Sequence, residues 1–271
     1  MVHTSAEAGP AAPALISIVI PCYNEEANLR RGVLDEVVDY LASQERAWEL
    51  VIADDGSSDD SLALCQQFAQ AHRRVHVLAL PHGGKPAAVY GGICAAQGEI
   101  VLFTDMDQST PLAELEKLLP WFERGYGVVI GSRGLKRAGF SLGRRVASRL
   151  FRLARGLVLL REIDDTQCGF KALRRELATE LFPNLSFFAA QAAHTGWTVS
   201  AFDVELLYLA QQWGVPIKEV EVEWRNRDVS TTKGRGKSQF MRESLEMARQ
   251  VVAILRNRAA GKYRLREQSQ C

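Results

Sequence analysis

Two aspartates near the middle of the chain are spaced for metal chemistry. Asp105 and Asp107 flank Met106 directly after the apolar run EIVLFT, so both carboxylates could reach one hard cation such as Mg²⁺ or Mn²⁺. An ion held in this way keeps positions open for substrate phosphates and neutralises the charge on a departing diphosphate. Taken alone, the pattern is weak evidence for a metal site, because two aspartates at this spacing are more common in a solvated turn.

A second carboxylate pair, Asp54 and Asp55, follows the apolar run WELVIA and precedes Gly56 and Ser57. A carboxylate at the end of a strand can accept hydrogen bonds from a nucleotide base or a ribose, and the glycine lets the backbone turn sharply. The alternative is an aspartate-rich cap before the next helix. The residues themselves leave both interpretations open.

The short loop at residues 82–85 (HGGK) could bind phosphate. Successive backbone N–H groups and the ammonium of Lys85 can approach a diphosphate. The loop is not a Walker motif, because Pro86 stands where that motif has serine or threonine. A plain surface turn is the alternative.

Two further polar features stand out in the second half of the chain. The block DDTQCGFK at residues 164–171 fits neither a helix nor a strand pattern. Asp203 lies within an otherwise apolar helix predicted at 198–213, where a carboxylate is rarely buried without a partner. Asp203 is therefore a candidate functional residue, and an ion pair with a nearby arginine is an equally open alternative.

The elements that would position these residues alternate along the chain. Short apolar runs predict buried strands at residues 15–21, 48–53, 75–80, 99–104 and 127–132, with a further strand at 215–224. Helical patterns are found at 25–42, 57–68, 87–96 and 111–121, and a last helix is expected at 238–258. This alternation predicts a mainly parallel sheet wrapped by helices, an α/β fold whose ligands bind at the carboxyl ends of the strands. The acidic and glycine-rich motifs fall at those ends.

The composition is that of an ordinary globular chain. Its 271 residues are 47% hydrophobic and 24% charged with a net charge of +1, so nothing indicates a nucleic-acid partner. Five scattered cysteines do not suggest a zinc site or a disulfide framework, and they suit the reducing cytosol. Residues 1–14 are expected to be a disordered leader, and no run of about 18 apolar residues predicts a transmembrane helix.

Positive charge is concentrated between Glu123 and Glu162, a stretch that contains no acidic residue. A helix predicted at 142–160 has arginines beside an apolar stripe, which suits either an anionic membrane surface or packing on the domain. The basic loop at 226–237 could close over a ligand or be a simple connection. An anionic partner is therefore expected.

In this order, the motifs resemble those of the inverting glycosyltransferases of family 2, which have the GT-A fold, and within them the dolichyl-phosphate and polyprenyl-phosphate hexosyltransferases. The matching blocks are IVIPCYNEE, IADDGSSDD, GGKPAAVYGG, FTDMDQSTP, IGSR, DDTQCGFK, FDVELLYLA and VEVEW. The resemblance implies a Rossmann-like GT-A domain at residues 15–225. Residues 226–271 would form a basic loop and an amphipathic helix, packed on or near a membrane.

The resemblance also implies roles for individual residues. The metal ligands would be Asp105 and Asp107. The nucleotide sugar would be bound by Pro21, Tyr23, Glu25, Asp54, Asp55, Lys85, Asp105, Met106, Asp107 and Gln108. The acceptor phosphate would be bound by Arg133, Gln167 and Lys171. The catalytic residues would be Asp107, Asp203 and Arg133.

The implied reaction moves a hexose, for which we expect glucose from UDP-glucose, onto a polyprenyl or dolichyl phosphate with Mg²⁺ or Mn²⁺ as the cofactor. A phosphate monoester is largely dianionic near neutral pH, so it can attack the anomeric carbon without a general base. We therefore expect inversion, with Asp203 orienting the sugar or a cation. Many relatives carry transmembrane helices, and none is predicted here. This chain would therefore bind peripherally at the cytosolic face of a membrane, use a membrane subunit, or act on a soluble acceptor.

Three other activities are possible for these motifs. A family 2 enzyme could instead glycosylate a hydroxyl of a saccharide or glycolipid, but the DDTQCGFK block is typical of the lipid-phosphate branch. A polyprenyl-phosphate mannosyltransferase would use GDP-mannose as the donor. A nucleotidyltransferase would have a glycine-rich basic loop after the first strand, where this chain has CYNE.

Overall fold

The computed structural model describes residues 15–134, 160, 163–189, 202–229 and 251–263. The expected leader, nearly all of the basic helix, residues 230–237 of the basic loop and the first part of the last helix lie outside the described residues. Those expectations stay predictions. Residues 251–259 are helical, as expected for the end of the last helix.

Seven strands form one sheet in the described part of the chain, in the order β3-β2-β1-β4-β6-β5-β7. Their bounds are β1 Ile16–Cys22, β2 Trp48–Asp54, β3 Val75–Ala79, β4 Ile100–Phe103, β5 Val128–Ser132, β6 Lys171–Arg174 and β7 Ile217–Glu221. The strands are parallel except β6, which runs antiparallel between β4 and β5. The predicted mainly parallel sheet is confirmed. The sequence does not predict β6, because this short strand directly follows the irregular DDTQCGFK block.

Both faces of the sheet are covered, and β1 shows why its sequence is apolar throughout. Ile18 and Ile20 pack into the core on one face, and Val19 packs into the core on the other. All three side chains are fully buried. Because neighbouring strand residues point to opposite faces, a strand that is buried on both sides needs this continuous apolar run.

Helices flank the sheet on both sides. Their bounds are α1 Glu26–Arg30, α2 Val33–Ala42, α3 Ser61–Ala71, α4 Lys85–Ala95, α5 Leu115–Glu123, α6 Arg175–Leu181, α7 Ser186–Ala189 and α8 Phe202–Gln212. Short 3₁₀ turns occur at Leu112–Glu114 and Phe182–Asn184. None of the described helices has the length and apolar character needed to cross a bilayer.

The prediction of one continuous helix at 25–42 is wrong. Gly32 has a φ of 80°, a left-handed conformation that separates α1 from α2. The break leaves Arg31 between the two helices, where its Nη2 donates a hydrogen bond to the backbone oxygen of Asp107 at 3.0 Å.

After β7 the chain crosses the carboxyl edge of the sheet; we call residues 222–229 the strap. It begins beside β5, where Val222 N donates to Ser132 O at 2.9 Å. It ends beside α1, where Val229 N donates to Asn28 Oδ1 at 3.4 Å. Residue 225, where the sequence places the end of the domain, lies within the strap.

The described C-terminal residues are attached to α8 through a buried carboxylate. Tyr263 Oη donates to Glu205 Oε1 at 2.6 Å, and Ser186 Oγ donates to Glu205 Oε2 at 2.7 Å. Burial, followed by the hydrogen bond to Glu205, raises the pKa of Tyr263 above its ordinary value, so the phenol remains a donor. This contact joins residues 251–263 to the body of the domain.

Tyr263→Phe should lower the free energy of unfolding by about 1.5–3 kcal/mol, the usual cost of losing a hydrogen bond to a charged group. Urea denaturation followed by circular dichroism measures the change. Tyr126→Phe is the control, because Tyr126 packs edge-on against Trp121 through its ring and keeps that contact. A loss no larger than that of the control would contradict the assignment.

Candidate active site

The carboxyl ends of β1, β2 and β4 meet at one edge of the sheet, because these strands are parallel neighbours. Cys22 ends β1, Asp54 ends β2, and Asp105 lies just beyond the end of β4. Open α/β sheets bind their ligands at such an edge. The structure thus brings together motifs that are far apart in the sequence.

Asp54 holds the turn that follows β2. Its Oδ2 accepts hydrogen bonds from the backbone N–H groups of Gly56 and Ser57, both at 3.1 Å, and its Oδ1 accepts from Ser57 Oγ at 2.5 Å. The side chain is buried. These hydrogen bonds stabilise the turn and do not reach the next helix, α3, which begins at Ser61 after the cap residue Asp60. Contact with a base or a ribose stays a prediction.

Asp55 organises the glycine loop at residues 82–85. Its buried carboxylate accepts hydrogen bonds from the backbone N–H groups of Gly83 at 2.8 Å and Gly84 at 2.9 Å. Gly84 has a φ of 88°, which favours glycine, and Lys85 begins α4 directly after it. Asp55 therefore sets the position of Lys85.

The segment after β1 forms a neighbouring wall of the site. Tyr23 stacks on His82 with the ring centroids 4.5 Å apart and the planes 21° from parallel. Pro21 is buried within β1, and Glu25, also buried, accepts a hydrogen bond from Asn28 Nδ2 at 2.6 Å. The half-buried aromatic pair is a surface on which a nucleotide base could stack.

After β4 the chain forms a tight loop, residues 105–110, which we call the aspartate loop. Gln108 has a φ of 49°, an uncommon backbone conformation for a residue other than glycine. Its Nε2 donates to Asp105 O at 2.8 Å, and Asp107 Oδ1 accepts from Ser109 N at 2.8 Å. Met106 is buried in the core below the loop. These contacts fix the backbone that carries both acidic side chains.

The aspartate loop offers oxygen atoms that fit a divalent cation. Gln108 Oε1 is buried and has no hydrogen-bond partner among the described residues. With the carboxylates of Asp105 and Asp107 it supplies the hard ligands that Mg²⁺ and Mn²⁺ prefer. No cluster of three or more His, Cys, Asp or Glu side chains suited to a metal occurs in the described ranges. Waters and substrate phosphates commonly complete the coordination of an ion that few carboxylates hold.

Asp105 also lies between two other motifs. Lys85 Nζ forms an ion pair with Asp105 Oδ1. On the other side, a Cβ atom added to Gly169 would overlap the Asp105 carboxylate. Only glycine fits at position 169 with Asp105 in this place. The glycine loop, the aspartate loop and the DDTQCGFK block therefore converge on one carboxylate.

Arg133 follows β5 and forms a bidentate ion pair with Asp165, with Nε–Oδ2 and Nη2–Oδ1 distances of 2.7 Å. Burial acts to lower the pKa of Arg133, but the hydrogen bonds and charge of Asp165 outweigh it and the pKa is raised. The backbone N–H of Gln167 donates to the same carboxylate at 3.4 Å. Asp165 thus gathers two of the three residues predicted to bind an acceptor phosphate.

Lys171, the third of these residues, is placed differently. Its side chain is fully buried, and its Nζ lies 2.7 Å from Asp203 Oδ1 and donates to Cys168 O. In this position Lys171 exposes no atom to an acceptor. Asp203 has an ion-pair partner, as the alternative interpretation of the sequence suggests, but the partner is a lysine.

Two residues that the sequence does not assign also touch the site. Asp165 lies inside the DDTQCGFK block, and the need of the half-buried Arg133 for a carboxylate partner is the signal that could identify it. Arg31 gives no such signal, because it contacts the backbone oxygen of Asp107 and no side chain there.

A sheet of this order, with an Asp-x-Asp loop after β4, defines the GT-A class of glycosyltransferases. The model of glycosyl transferase family 2 matches residues 17–182, more than half of the chain. The chain belongs to glycosyltransferase family 2, as its motifs predict.

Relatives agree with this assignment. The dolichyl-phosphate beta-glucosyltransferase of Mus musculus is 36% identical over 232 residues, which cover 77% of this chain and 67% of the relative. The enzyme of the same name from Dictyostelium discoideum is 32% identical over 259 residues, 88% of this chain and 73% of the relative. Mannosyl-3-phosphoglycerate synthase from Rubrobacter xylanophilus has a TM-score of 0.61 at 19% identity, covering 95% of this chain and 79% of that chain, which supports the fold.

Gly169→Ala should weaken Mn²⁺ binding in the presence of UDP by about 10-fold, because the added methyl group displaces the carboxylate of Asp105, a candidate ligand, from a neighbouring position. Electron paramagnetic resonance of free Mn²⁺ measures the affinity. Gly214→Ala is the control: Gly214 has a φ of 71° and open space around its Cα, and it precedes β7 at the other edge of the sheet. Unchanged Mn²⁺ affinity in Gly169→Ala would contradict the role of this contact.

Proposed function

We propose that this glycosyltransferase moves glucose from UDP-glucose to the phosphate of a polyprenol or dolichol, with Mg²⁺ or Mn²⁺ as its cofactor. The observation that carries the proposal is the convergence on Asp105, which contacts Lys85 of the glycine loop and Gly169 of the DDTQCGFK block. A donor at the aspartate loop and an acceptor at Arg133 would therefore be close together. In agreement, the charge of Asp105 is among the causes that raise the pKa of Arg133.

The relatives support this choice of substrates. Proteins named dolichyl-phosphate beta-glucosyltransferase include those of Mus musculus and Homo sapiens, the latter 33% identical to this chain over 229 residues. A structure of glucosyl-3-phosphoglycerate synthase from Mycobacterium tuberculosis in complex with UDP is 25% identical, with a TM-score of 0.59, and the match covers 91% of this chain and 80% of that chain. The names of the relatives support glucose as the transferred sugar, and the complex supports UDP as the nucleotide of the donor.

The donor would lie along the carboxyl edge of the sheet. The stacked rings of Tyr23 and His82 would contact the base, and Asp54 would lie near the ribose. The glycine loop would present backbone N–H groups and Lys85 to the diphosphate. Asp105 and Asp107 would hold a divalent ion, and such an ion would supply positive charge that stabilises the departing UDP.

The acceptor needs positioning more than activation. An oxygen of its phosphate attacks the anomeric carbon, a new C–O bond forms, and the bond to the UDP oxygen breaks with its electron pair leaving on UDP. Attack opposite the leaving group converts an α-linked donor into a β-linked lipid phosphate. Arg133, kept charged by Asp165, is our candidate for holding the acceptor phosphate.

We place the enzyme peripherally at the cytosolic face of a membrane, in direct contact or through a membrane subunit. Two apolar side chains of the strap support a lipid-facing surface: Trp224 is 38% exposed and Val229 is 50% exposed. The Trp224 ring lies 5.7 Å from the guanidinium of Arg133, so an apolar surface adjoins the candidate acceptor site.

Transfer of label from UDP-glucose or GDP-mannose to a short polyprenyl phosphate tests the proposal. We expect label from UDP-glucose in the lipid phase, its loss with EDTA, and a decrease of about 100-fold in Asp107→Asn because a metal ligand is weakened. Asp39→Asn, on the exposed face of α2, is the control and should be unchanged. Donor hydrolysis or transfer to a hydroxyl acceptor, without lipid label, would overturn the lipid-phosphate acceptor.

The pH dependence of kcat/KM in Asp203→Asn shows whether Asp203 orients the substrate or acts as a general base. The rate should rise with pH as the acceptor phosphate becomes dianionic, with a midpoint near its second pKa of about 6. We expect the same rise of kcat/KM at acidic pH, the acid limb of the profile, in Asp203→Asn, because Asp203 forms an ion pair with the buried Lys171 and is not needed as a base. A phosphonate acceptor of different pKa should shift the limb in both proteins. Loss of the limb in the variant alone would identify Asp203 as the base.

A further inference from the structure

The strap contacts both halves of the candidate active site. On the side of the aspartate loop, the backbone N–H of Arg225 donates to Ser109 O at 2.8 Å, and that of Arg227 donates to Ser109 Oγ at 3.2 Å. On the acceptor side, the Trp224 ring lies 5.7 Å from the guanidinium of Arg133. A movement of the strap would therefore change contacts at both the aspartate loop and Arg133.

Arg31 joins the strap to the aspartate loop directly. Its Nη2 donates to Asp107 O at 3.0 Å, and its Nη1 donates to Arg227 O. Because the donors of a guanidinium are fixed in one plane, the two backbone oxygens are held at a set separation. Displacement of Arg227 would thus alter the position of Asp107.

The far end of the strap is attached to α2 by a bidentate ion pair between Arg227 and Glu36, which we call the latch. The Nη2–Oε1 distance is 2.7 Å and the Nη1–Oε2 distance is 2.8 Å. The hydrogen bonds from Arg227 lower the pKa of Glu36, and those to Glu36 raise the pKa of Arg227, so the pair stays charged at neutral pH. Bidentate pairs of this kind fix geometry as well as charge.

The aspartate loop needs external support. Gln108 has a φ of 49°, and such a backbone persists in a residue other than glycine only where its surroundings hold it. Asp107 and Ser109, the residues on either side, are the two that Arg31 and the strap contact. Release of these contacts would let the loop relax and move the Asp107 carboxylate.

We propose that the latch is a positioning device for the metal site: Glu36 and Arg227 hold the strap against the aspartate loop and thereby fix Asp107 for a divalent ion and the donor diphosphate. This inference rests on the proposed metal and donor binding at the aspartate loop. Arg31, Glu36 and Arg227 are positioning residues, since they act through the backbone of the loop.

A double-mutant cycle tests the proposal with Glu36→Gln, Arg227→Gln and the pair together. Each single variant should weaken Mn²⁺ binding in the presence of UDP by about 10-fold, as changes in residues that orient metal ligands commonly do. The double variant should bind Mn²⁺ at most about 2-fold more weakly than either single variant, because both substitutions remove the same contact. Arg227→Lys, which keeps one charge-assisted bond, should recover part of the affinity. The KM for UDP-glucose should rise more than kcat falls.

Arg225→Gln is the matched control, because Arg225 lies on the same strap in an exposed ion pair with Glu223. It should leave Mn²⁺ affinity unchanged. Urea denaturation of each variant separates positioning from stability, since a purely structural latch would lower stability and spare the affinity. Normal Mn²⁺ affinity in both single latch variants, or additive losses in the double variant, would overturn the inference. Absence of Mn²⁺ binding by the unaltered protein would overturn the proposed metal site and this inference with it.

Discussion

The carboxylate of Asp105 is in contact with Lys85 on one side and with Gly169 on the other, and the arrangement of three loops depends on this close approach. Each loop is fixed independently. The buried Asp55 holds the glycine loop that carries Lys85, and the buried Lys171 holds the backbone oxygen of Cys168 beside Gly169. Because Asp105 contacts Lys85 and Gly169 directly, a shift in either support would move its carboxylate. A ligand group held from several directions has the fixed geometry that binding and catalysis require.

Two ion pairs on the acceptor side show how the fold places charge without exposing it. The Lys171–Asp203 pair lies between the sheet and α8, where loss of either partner would leave an uncompensated buried charge. Arg133 is partly exposed and keeps its charge through Asp165. We attribute the positioning of the loop to the first pair and contact with an acceptor phosphate to the second. This division follows from the burial of the two cations, since Lys171 is fully buried and Arg133 is partly exposed.

Local patterns in the sequence predict the sheet and the edge where its motifs meet, because apolar runs and their polar ends are properties of short segments. The motifs also predict the family. Features that depend on distant contacts are not predictable in this way. The sequence contains Gly32 but does not reveal that its backbone is left-handed, so it predicts α1 and α2 as one helix. The antiparallel β6 and the burial of Lys171 with Asp203 arise from packing between segments far apart in the chain. The role of Arg31 depends on a backbone oxygen, which leaves no trace in residue type.

The position of a bound cation decides whether the aspartate loop is the metal site. Crystals grown with Mn²⁺ and UDP-glucose can be measured at a wavelength where manganese scatters anomalously. We expect one strong anomalous peak in the active site, in contact with oxygen atoms of Asp105, Asp107 and the donor diphosphate. A bound donor without a manganese peak at the aspartate loop, or with the peak on other residues, would contradict it.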